Sequence, residues 1–214
     1  GVDKRTIFEE TEDLNRFFQS MEEFNVLKPI GSIYSNTFKK KQSLLRGKAP
    51  KLDSRADKSE EKLVEFVCFC LNPNHYHFML EQLVDNGIQK FMHKIATGYT
   101  GYFNKKYKRT GSLFEGKFKA VLVKSDEDLM YVSAYINLNN RAHNKFVGSN
   151  YANLTMSSWD EYIQSNGTDK QGDFCKKIDV FSILKNGEDY KEYAEERLEE
   201  IKDNKEIDKY LLEQ

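Results

Sequence analysis

Three stretches of the chain carry apolar residues at the spacing of an amphipathic helix, in which residues three and four apart share one face. They span residues 11–25, 85–107 and 125–138. The second stretch is the most regular, because its apolar residues keep the helical period from Ile88 to Phe103. Ser125 followed by Asp128 is a capping-box-like start for the third. The pattern therefore predicts three helices, each with one buried face.

Two shorter apolar stretches predict a β-hairpin. Residues 63–71 form a compact apolar run typical of a buried strand, and residues 75–80 form a second strand-like run. The turn-forming sequence Asn72-Pro73-Asn74 separates them. Further β-prone runs predict a strand over residues 118–123 and a possible strand over 32–38.

The remaining segments are polar. Residues 39–62 are rich in Lys and Ser, which predicts an exposed insertion or loop, and residues 188–212 predict one or two acidic helices. The order of the elements predicts an α+β fold with an antiparallel-rich central sheet and flanking helices. We expect one domain of this kind over residues 1–162, followed by a polar, mainly helical extension over 163–214.

Composition excludes several classes of protein. With 39% hydrophobic and 13% aromatic residues, the 214-residue chain can build a core, which argues against wholesale disorder. Its apolar runs are too short to cross a bilayer, and residues 1–20 show no signal-peptide pattern. Three cysteines do not make a disulfide framework and are typical of reduced thiols. The sequence therefore predicts a cytoplasmic protein without a membrane partner.

The net charge of −1 hides an uneven distribution. Residues 88–124 hold nine Lys or Arg and one acid, Glu115, whereas residues 186–214 hold eleven acids and five bases. Such asymmetry indicates a middle region that faces a polyanion and an acidic tail in solvent. Ordinary exposed surface is the alternative interpretation, because surface charge is common.

The sharpest chemical feature is the pair of histidines in His75-Tyr76-His77. Residues two apart on a strand point to the same face, so both imidazoles should project together while Tyr76 faces the core. Two neutral imidazoles placed in this way can share a metal ion. The alternative is that they are two half-exposed polar residues of a strand.

A second feature lies on the third predicted helix. Tyr135 and Asn139 are four residues apart and therefore stack on one face, with Tyr131 one turn earlier. A phenol beside an amide oxygen could act as a nucleophile beside a metal ligand. The alternative is that the tyrosines pack into the core.

Taken together, these segments resemble the single-tyrosine transposases of the HUH endonuclease superfamily, and most closely the REP-associated tyrosine transposases. His75-Tyr76-His77 is similar to their histidine–hydrophobe–histidine motif. The opening residues 1–8 are also similar to that group, where they follow a first strand, so we expect the chain to begin just after it. The resemblance extends to about Tyr162 and is carried by residues 71–80, 102–104, 111–119 and 135–139 in the family's order.

The resemblance implies a ferredoxin-like, RRM-like HUH fold and a defined chemistry. His75, His77 and Asn139 match the positions that hold a divalent cation, Mg²⁺ or Mn²⁺, and Tyr135 matches the catalytic tyrosine. Attack of the tyrosine on single-stranded DNA would give a 5′-phosphotyrosine and a free 3′-OH, without a nucleotide cofactor. The sequence departs from the family pattern at Asn140, where Pro is common, and at Lys117, where Arg is common.

DNA contacts are expected from the basic middle of the chain. Tyr107 or Phe114 could stack bases, and hairpin DNA with flanking single strand is the substrate implied by the resemblance. The residues expected to contact phosphates are Lys105, Lys106, Lys108, Arg109, Lys117 and Lys119.

Other readings fit the same sequence. The chain could be a non-catalytic nucleic-acid-binding module that retains the fold, or a relative that acts on RNA. Tyr135 could serve the histidine pair of its own chain, or that of the partner in a homodimer.

Overall fold

The computed structural model describes residues 1–28, 33, 61–142 and 150–203. Its elements, numbered in chain order, are a short 3₁₀ turn at Val2–Lys4, α1 (Thr11–Glu23), β1 (Val64–Asn72), β2 (His75–Gln82), α2 (Gly87–Lys106), α3 (Asp126–Ala142), β3 (Met156–Ser157), α4 (Trp159–Ile163), α5 (Ile178–Phe181), α6 (Gly187–Glu196) and α7 (Leu198–Asp203).

The described strands form one antiparallel sheet in the order β2-β1-β3. Strands β1 and β2 are joined by the tight turn at Pro73-Asn74, and this turn sets their register: Asn72 pairs with His75, and Cys70 pairs with His77. Because side chains alternate along a strand, these four residues lie on the same face of the sheet. The register therefore decides which face carries the polar side chains.

Helices α1 and α2 cover the other face of the sheet. Phe17 of α1 is fully buried, and its ring centroid lies 5.1 Å from that of Tyr76 and 6.4 Å from that of Phe78. Phe91 of α2 lies 5.4 Å from Phe66. Aromatic rings of this size bury large areas, so this aromatic layer forms much of the hydrophobic core. The prediction that Tyr76 faces the core is confirmed.

Helix α3 packs on the face that carries the histidines. The ring of Tyr135 contacts that of His77, and the Asn72 amide donates to Asn139 Oδ1 at 2.9 Å. Ser125 Oγ accepts a hydrogen bond from the Asp128 amide at 3.1 Å, so the predicted cap at the start of this helix is formed. Both faces of the sheet are thus covered by helices, as in an α+β layer fold.

Residues beyond Tyr162 pack against the same sheet. The ring of Phe174 lies 4.8 Å from that of Phe66, and the Lys176 amide donates to the Phe66 carbonyl at 2.8 Å. Lys177 is only 1% exposed, and its ammonium pairs with Glu161 at 3.0 Å and Asp173 at 2.6 Å. Described parts of the C-terminal extension are therefore built into the same core.

The predicted fold class is confirmed: an antiparallel sheet is flanked by helices. The strand predicted over residues 118–123 does not form, because this stretch pairs with no described strand and most of its side chains are exposed. The predicted insertion falls largely outside the described residues, as does the possible strand over 32–38 apart from Ile33.

A polar network ties α1 to α2 through the buried carboxylate of Asp13. Its oxygens accept hydrogen bonds from Tyr102 at 2.9 Å, from Lys106 at 2.7 Å and from Tyr107 at 2.6 Å. Burial alone would raise the pKa of Asp13, but the bonds from Lys106 and Tyr107 outweigh it and hold that pKa below its ordinary value. The network therefore needs Asp13 in its charged form.

We expect Asp13→Asn to lower the free energy of unfolding at neutral pH by about 3 kcal/mol, because it leaves the Lys106 ammonium without its buried partner. The depressed pKa adds a pH signature. The contribution is present above the ordinary carboxyl pKa of about 3.9 and is lost as the pH falls through the lower folded-state value. Urea unfolding at pH 7 and in acid measures both effects.

The matched control is Glu12→Gln, because Glu12 also pairs with Lys106, at 2.9 Å, but is 74% exposed. It should change stability little. Equal losses for the two variants at pH 7 would contradict the assigned role of Asp13.

Candidate nuclease site

The two predicted histidines lie side by side on β2 and face α3. Their ring centroids are 5.0 Å apart, and both side chains are half-buried. The alternation of the strand places them there, since residues two apart share a face. The structure therefore brings the two imidazoles together as the sequence predicted.

Asn139 reaches the same place from the last turns of α3. Its Oδ1 lies 3.3 Å from His75 Nε2, although the two residues are 64 positions apart in the chain. The side chain is 1% exposed, and its Nδ2 is buried without a hydrogen-bond partner among the described residues. A buried amide that satisfies only one end is costly. The amide of Asn139 is thus oriented with its oxygen toward His75 and its nitrogen unpaired among the described residues.

Tyr135 lies one helical turn before Asn139 and contacts the second histidine. Its ring centroid is 5.8 Å from that of His77, with the planes at 76°. The residue is fully buried. The phenol thus belongs to the core, as the alternative interpretation held, and at the same time lies against the histidine pair of its own chain.

Asn74 fixes the orientation of His75. Its Oδ1 lies 2.6 Å from His75 Nδ1, and an amide oxygen can only accept, so Nδ1 carries the proton. Nε2 then carries the lone pair and faces Asn139. Outer hydrogen bonds of this kind hold metal-ligating histidines in the required tautomer.

Asn72 is the residue that sequence reasoning missed. It is 5% exposed, and its Nδ2 lies 2.9 Å from Asn139 Oδ1 and 3.3 Å from His75 Nε2. The sequence predicts only a turn at this position. The sequence could have pointed to Asn72, because it lies two residues after Cys70 and the tight turn places it directly opposite His75.

The donor set could hold a divalent cation. Imidazole nitrogen is a common ligand of transition-metal ions, the amide oxygen suits harder ions such as Mg²⁺ and Mn²⁺, and three protein donors leave positions for phosphate oxygen and water. The orientation of Asn139 fits this use, because its oxygen faces His75 while its amino end has no hydrogen-bond partner among the described residues. Within the described residues, no three His, Cys, Asp or Glu side chains cluster, so they form no closed zinc site.

The nearby cysteines are core residues rather than ligands. Cys68 and Cys70 are fully buried, as predicted. Burial raises the pKa of Cys70 to about 12 and that of Cys68 further. Both therefore stay protonated at neutral pH, and metals bind the thiolate form.

The predicted DNA-contacting residues divide into two groups. Lys105, Lys108, Lys117 and Lys119 are exposed. Lys106 instead pairs with Glu10, Glu12 and Asp13, and Arg109 lies half-buried with its guanidinium 5.5 Å from the Phe103 ring centroid.

The suggested base-stacking residues are also engaged inside the protein. The Tyr107 hydroxyl donates to Asp13, and Phe114 packs 5.7 Å from Tyr76. Between Lys117 and Lys119, the side chain of Phe118 is 42% exposed.

The α+β architecture and the grouping of two imidazoles, an amide and a phenol are consistent with the HUH fold. Residues 36–139, a little under half of the chain, match the family model of IS200-like transposases. This stretch contains His75, His77, Tyr135 and Asn139. The match supports the resemblance to HUH-superfamily transposases.

Neither the comparison with curated proteins nor that with solved structures gives a match. Of the helices in the described ranges, none has both the length and the apolar character that a membrane crossing requires.

The C-terminal extension anchors the helix that carries Tyr135 and Asn139. Tyr190 of α6 is fully buried, and its hydroxyl accepts from Asn137 Nδ2 at 2.9 Å and lies 3.3 Å from Ser133 Oγ. Asn137 Oδ1 in turn accepts from Ser158 Oγ at 2.6 Å. Helix α3 is thus held by buried hydrogen bonds to α6 and to Ser158, the residue that follows β3.

We expect Tyr190→Phe to lower the free energy of unfolding by about 1–2 kcal/mol, because it leaves the buried Asn137 amide without its acceptor. Tyr193→Phe on the same helix is the control, since Tyr193 is only half-buried. Chemical denaturation measures both variants. A Tyr190→Phe protein as stable as the control would show that this bond does not anchor α3.

Proposed function

We propose that the chain is a metal-dependent single-stranded DNA endonuclease and strand transferase that uses Tyr135 as its nucleophile. One observation supports this most strongly: β2 and α3, far apart in sequence, bring Tyr135, Asn139 and the two histidines onto one face of the sheet. The match to IS200-like transposases supports DNA as the substrate.

We assign the cation to His75, His77 and Asn139. A bound Mg²⁺ or Mn²⁺ would polarise the scissile phosphate and neutralise charge in the transition state. The chain contributes the positions of the three donors, with Asn74 holding the tautomer of His75. Preset geometry of this kind lowers the entropic cost of reaching the transition state.

The reaction proposed for Tyr135 is an exchange of phosphodiester bonds. Its phenol oxygen bonds to phosphorus as the bond to the 3′ oxygen breaks; the phenol proton leaves to solvent, and the 3′ oxygen takes up a proton. Reversal with another 3′-OH rejoins the strands, and the covalent link conserves the bond energy. Because Tyr135 contacts His77 of its own chain, we propose that it acts in cis.

Full burial of Tyr135 implies an opening step before this reaction. A phosphate can reach the phenol only if the ring turns outward or the C-terminal part of α3 shifts. Motions that complete a catalytic site are common in enzymes and can limit the rate.

DNA binding is assigned to the exposed basic residues around the loop between α2 and α3: Lys105, Lys108, Lys117 and Lys119. Phe118, exposed between two of them, replaces Tyr107 and Phe114 as the proposed stacking residue. We propose hairpin DNA with flanking single strand as the substrate, a REP-associated type of enzyme, and action on cellular DNA in the cytoplasm.

A second candidate function is non-catalytic binding of the same DNA. The observation that favours it is that Tyr135 is 0% exposed, which is unusual for a nucleophile. Hairpin binding without any covalent adduct would support this alternative.

We expect the purified chain to form a covalent adduct with a hairpin oligonucleotide in Mn²⁺, and Tyr135→Phe to abolish it, because phenylalanine has no oxygen to attack phosphorus. Denaturing gel electrophoresis before and after protease digestion detects the adduct. Tyr131→Phe, one turn earlier on α3, is the matched control and should keep it. An undiminished adduct with Tyr135→Phe would remove this assignment.

We also expect His77→Ala to reduce adduct formation by at least about 100-fold, while affinity for the hairpin changes little. EDTA should have the same effect on the unmodified chain. Gel-shift and adduct assays on the same oligonucleotide separate binding from chemistry. Full activity in EDTA would exclude a role for the cation.

A further inference from the structure

We propose that Asn72 is a fourth protein ligand of the cation assigned to His75, His77 and Asn139. This inference rests on the proposed function, since it concerns the same site. It follows from the position of the Asn72 amide, which touches two of the three assigned donors.

One side-chain atom from each of Asn72, His75 and Asn139 together form a nearly regular triangle. Its Nδ2 lies 2.9 Å from Asn139 Oδ1 and 3.3 Å from His75 Nε2, and those two atoms are themselves 3.3 Å apart. Neighbouring ligands of an octahedral ion with bonds of about 2.1 Å are about 3.0 Å apart. The three side-chain ends are therefore spaced like one face of a metal coordination shell.

In the structure, Nδ2 of Asn72 is the amide atom that faces Asn139 and His75. An amide nitrogen donates, and here it donates to the two lone pairs that would otherwise bind a cation. A cation bound to His75 and Asn139 would face these N–H groups and be repelled by them. The Asn72 amide must therefore turn or withdraw when the ion binds.

Rotation of the amide exchanges its donated hydrogen bonds for a bond to the ion. The three side-chain hydrogen bonds that Asn72 makes within the described residues all start from Nδ2, and the third is a weak contact to Cys70 Sγ at 3.7 Å. A half-turn exchanges Nδ2 with Oδ1, which places an oxygen where the nitrogen now lies. After this half-turn the side chain would offer its oxygen to the ion.

The hairpin explains why this residue holds the position. Asn72 is the last residue of β1 and pairs directly with His75 across the turn, so the register that presents the imidazole also presents the amide. A neutral fourth donor adds affinity without adding charge. The pocket therefore keeps a full positive charge to attract the phosphate.

The test is a Mn²⁺ titration of the full chain, followed by electron paramagnetic resonance, without DNA. Asn72→Ala should weaken Mn²⁺ binding about tenfold or more. Asn72→Asp should bind Mn²⁺ at least as tightly as the unmodified chain, because a carboxylate oxygen takes the place of the amide oxygen. A role limited to hydrogen-bond donation would make the Asp variant as weak as the Ala variant, because a carboxylate cannot donate.

Asn25→Ala is the control for general damage to the fold. Asn25 is 7% exposed, and its amide bonds the backbone of Val64 at the opposite end of β1. This variant should lose stability but keep its Mn²⁺ affinity. Circular dichroism at the titration temperature shows that each protein is folded.

Two outcomes overturn the proposal: unchanged Mn²⁺ affinity in Asn72→Ala, or an Asp variant as weak as the Ala variant. His77→Ala separates these from failure of the site itself. If His77→Ala weakens binding and Asn72→Ala does not, only the role of Asn72 is lost. If neither the unmodified chain nor any variant binds Mn²⁺, the metal-dependent function fails with it.

Discussion

The register of one β-hairpin determines the rest of the site. The turn at Pro73-Asn74 pairs Asn72 with His75 and Cys70 with His77, so the polar side chains fall on one face and the aromatic ones on the other. A slip of one residue would exchange the two faces. The imidazoles would then enter the aromatic layer, and Tyr76 would face α3. Burial of Phe17 against Tyr76 makes such a slip costly, so the hydrophobic core itself holds the histidines in place.

Helix α3 completes the site because it is held from both sides. Toward the sheet, Asn139 bonds Asn72 and lies beside His75. Toward the C-terminal extension, Asn137 bonds Tyr190. Asn137 and Asn139 lie two residues apart on α3. Together they connect the candidate site to the C-terminal extension, which the family match does not cover. Shifts of α3 that uncover Tyr135 would have to strain or break these buried bonds.

Much of this arrangement could be predicted from the sequence, and the exceptions have physical causes. The hairpin and the three main helices follow from local periodicity, which needs no knowledge of distant partners. The segment at 118–123 has strand-forming residues but pairs with none of the described strands, and pairing is not encoded locally. Asn72 was missed because its place beside His75 and Asn139 arises only when α3 lies against the hairpin. Lys106 looked like a DNA contact because its carboxylate partners lie on another helix.

The most direct test of the account is a crystal of the chain soaked in Mn²⁺, with data collected at a wavelength where manganese scatters anomalously. The proposed site predicts one strong anomalous peak within bonding distance of His75 Nε2, a nitrogen of His77 and Asn139 Oδ1. A fully soaked crystal with no peak there, or with its only peak at another site, would contradict it.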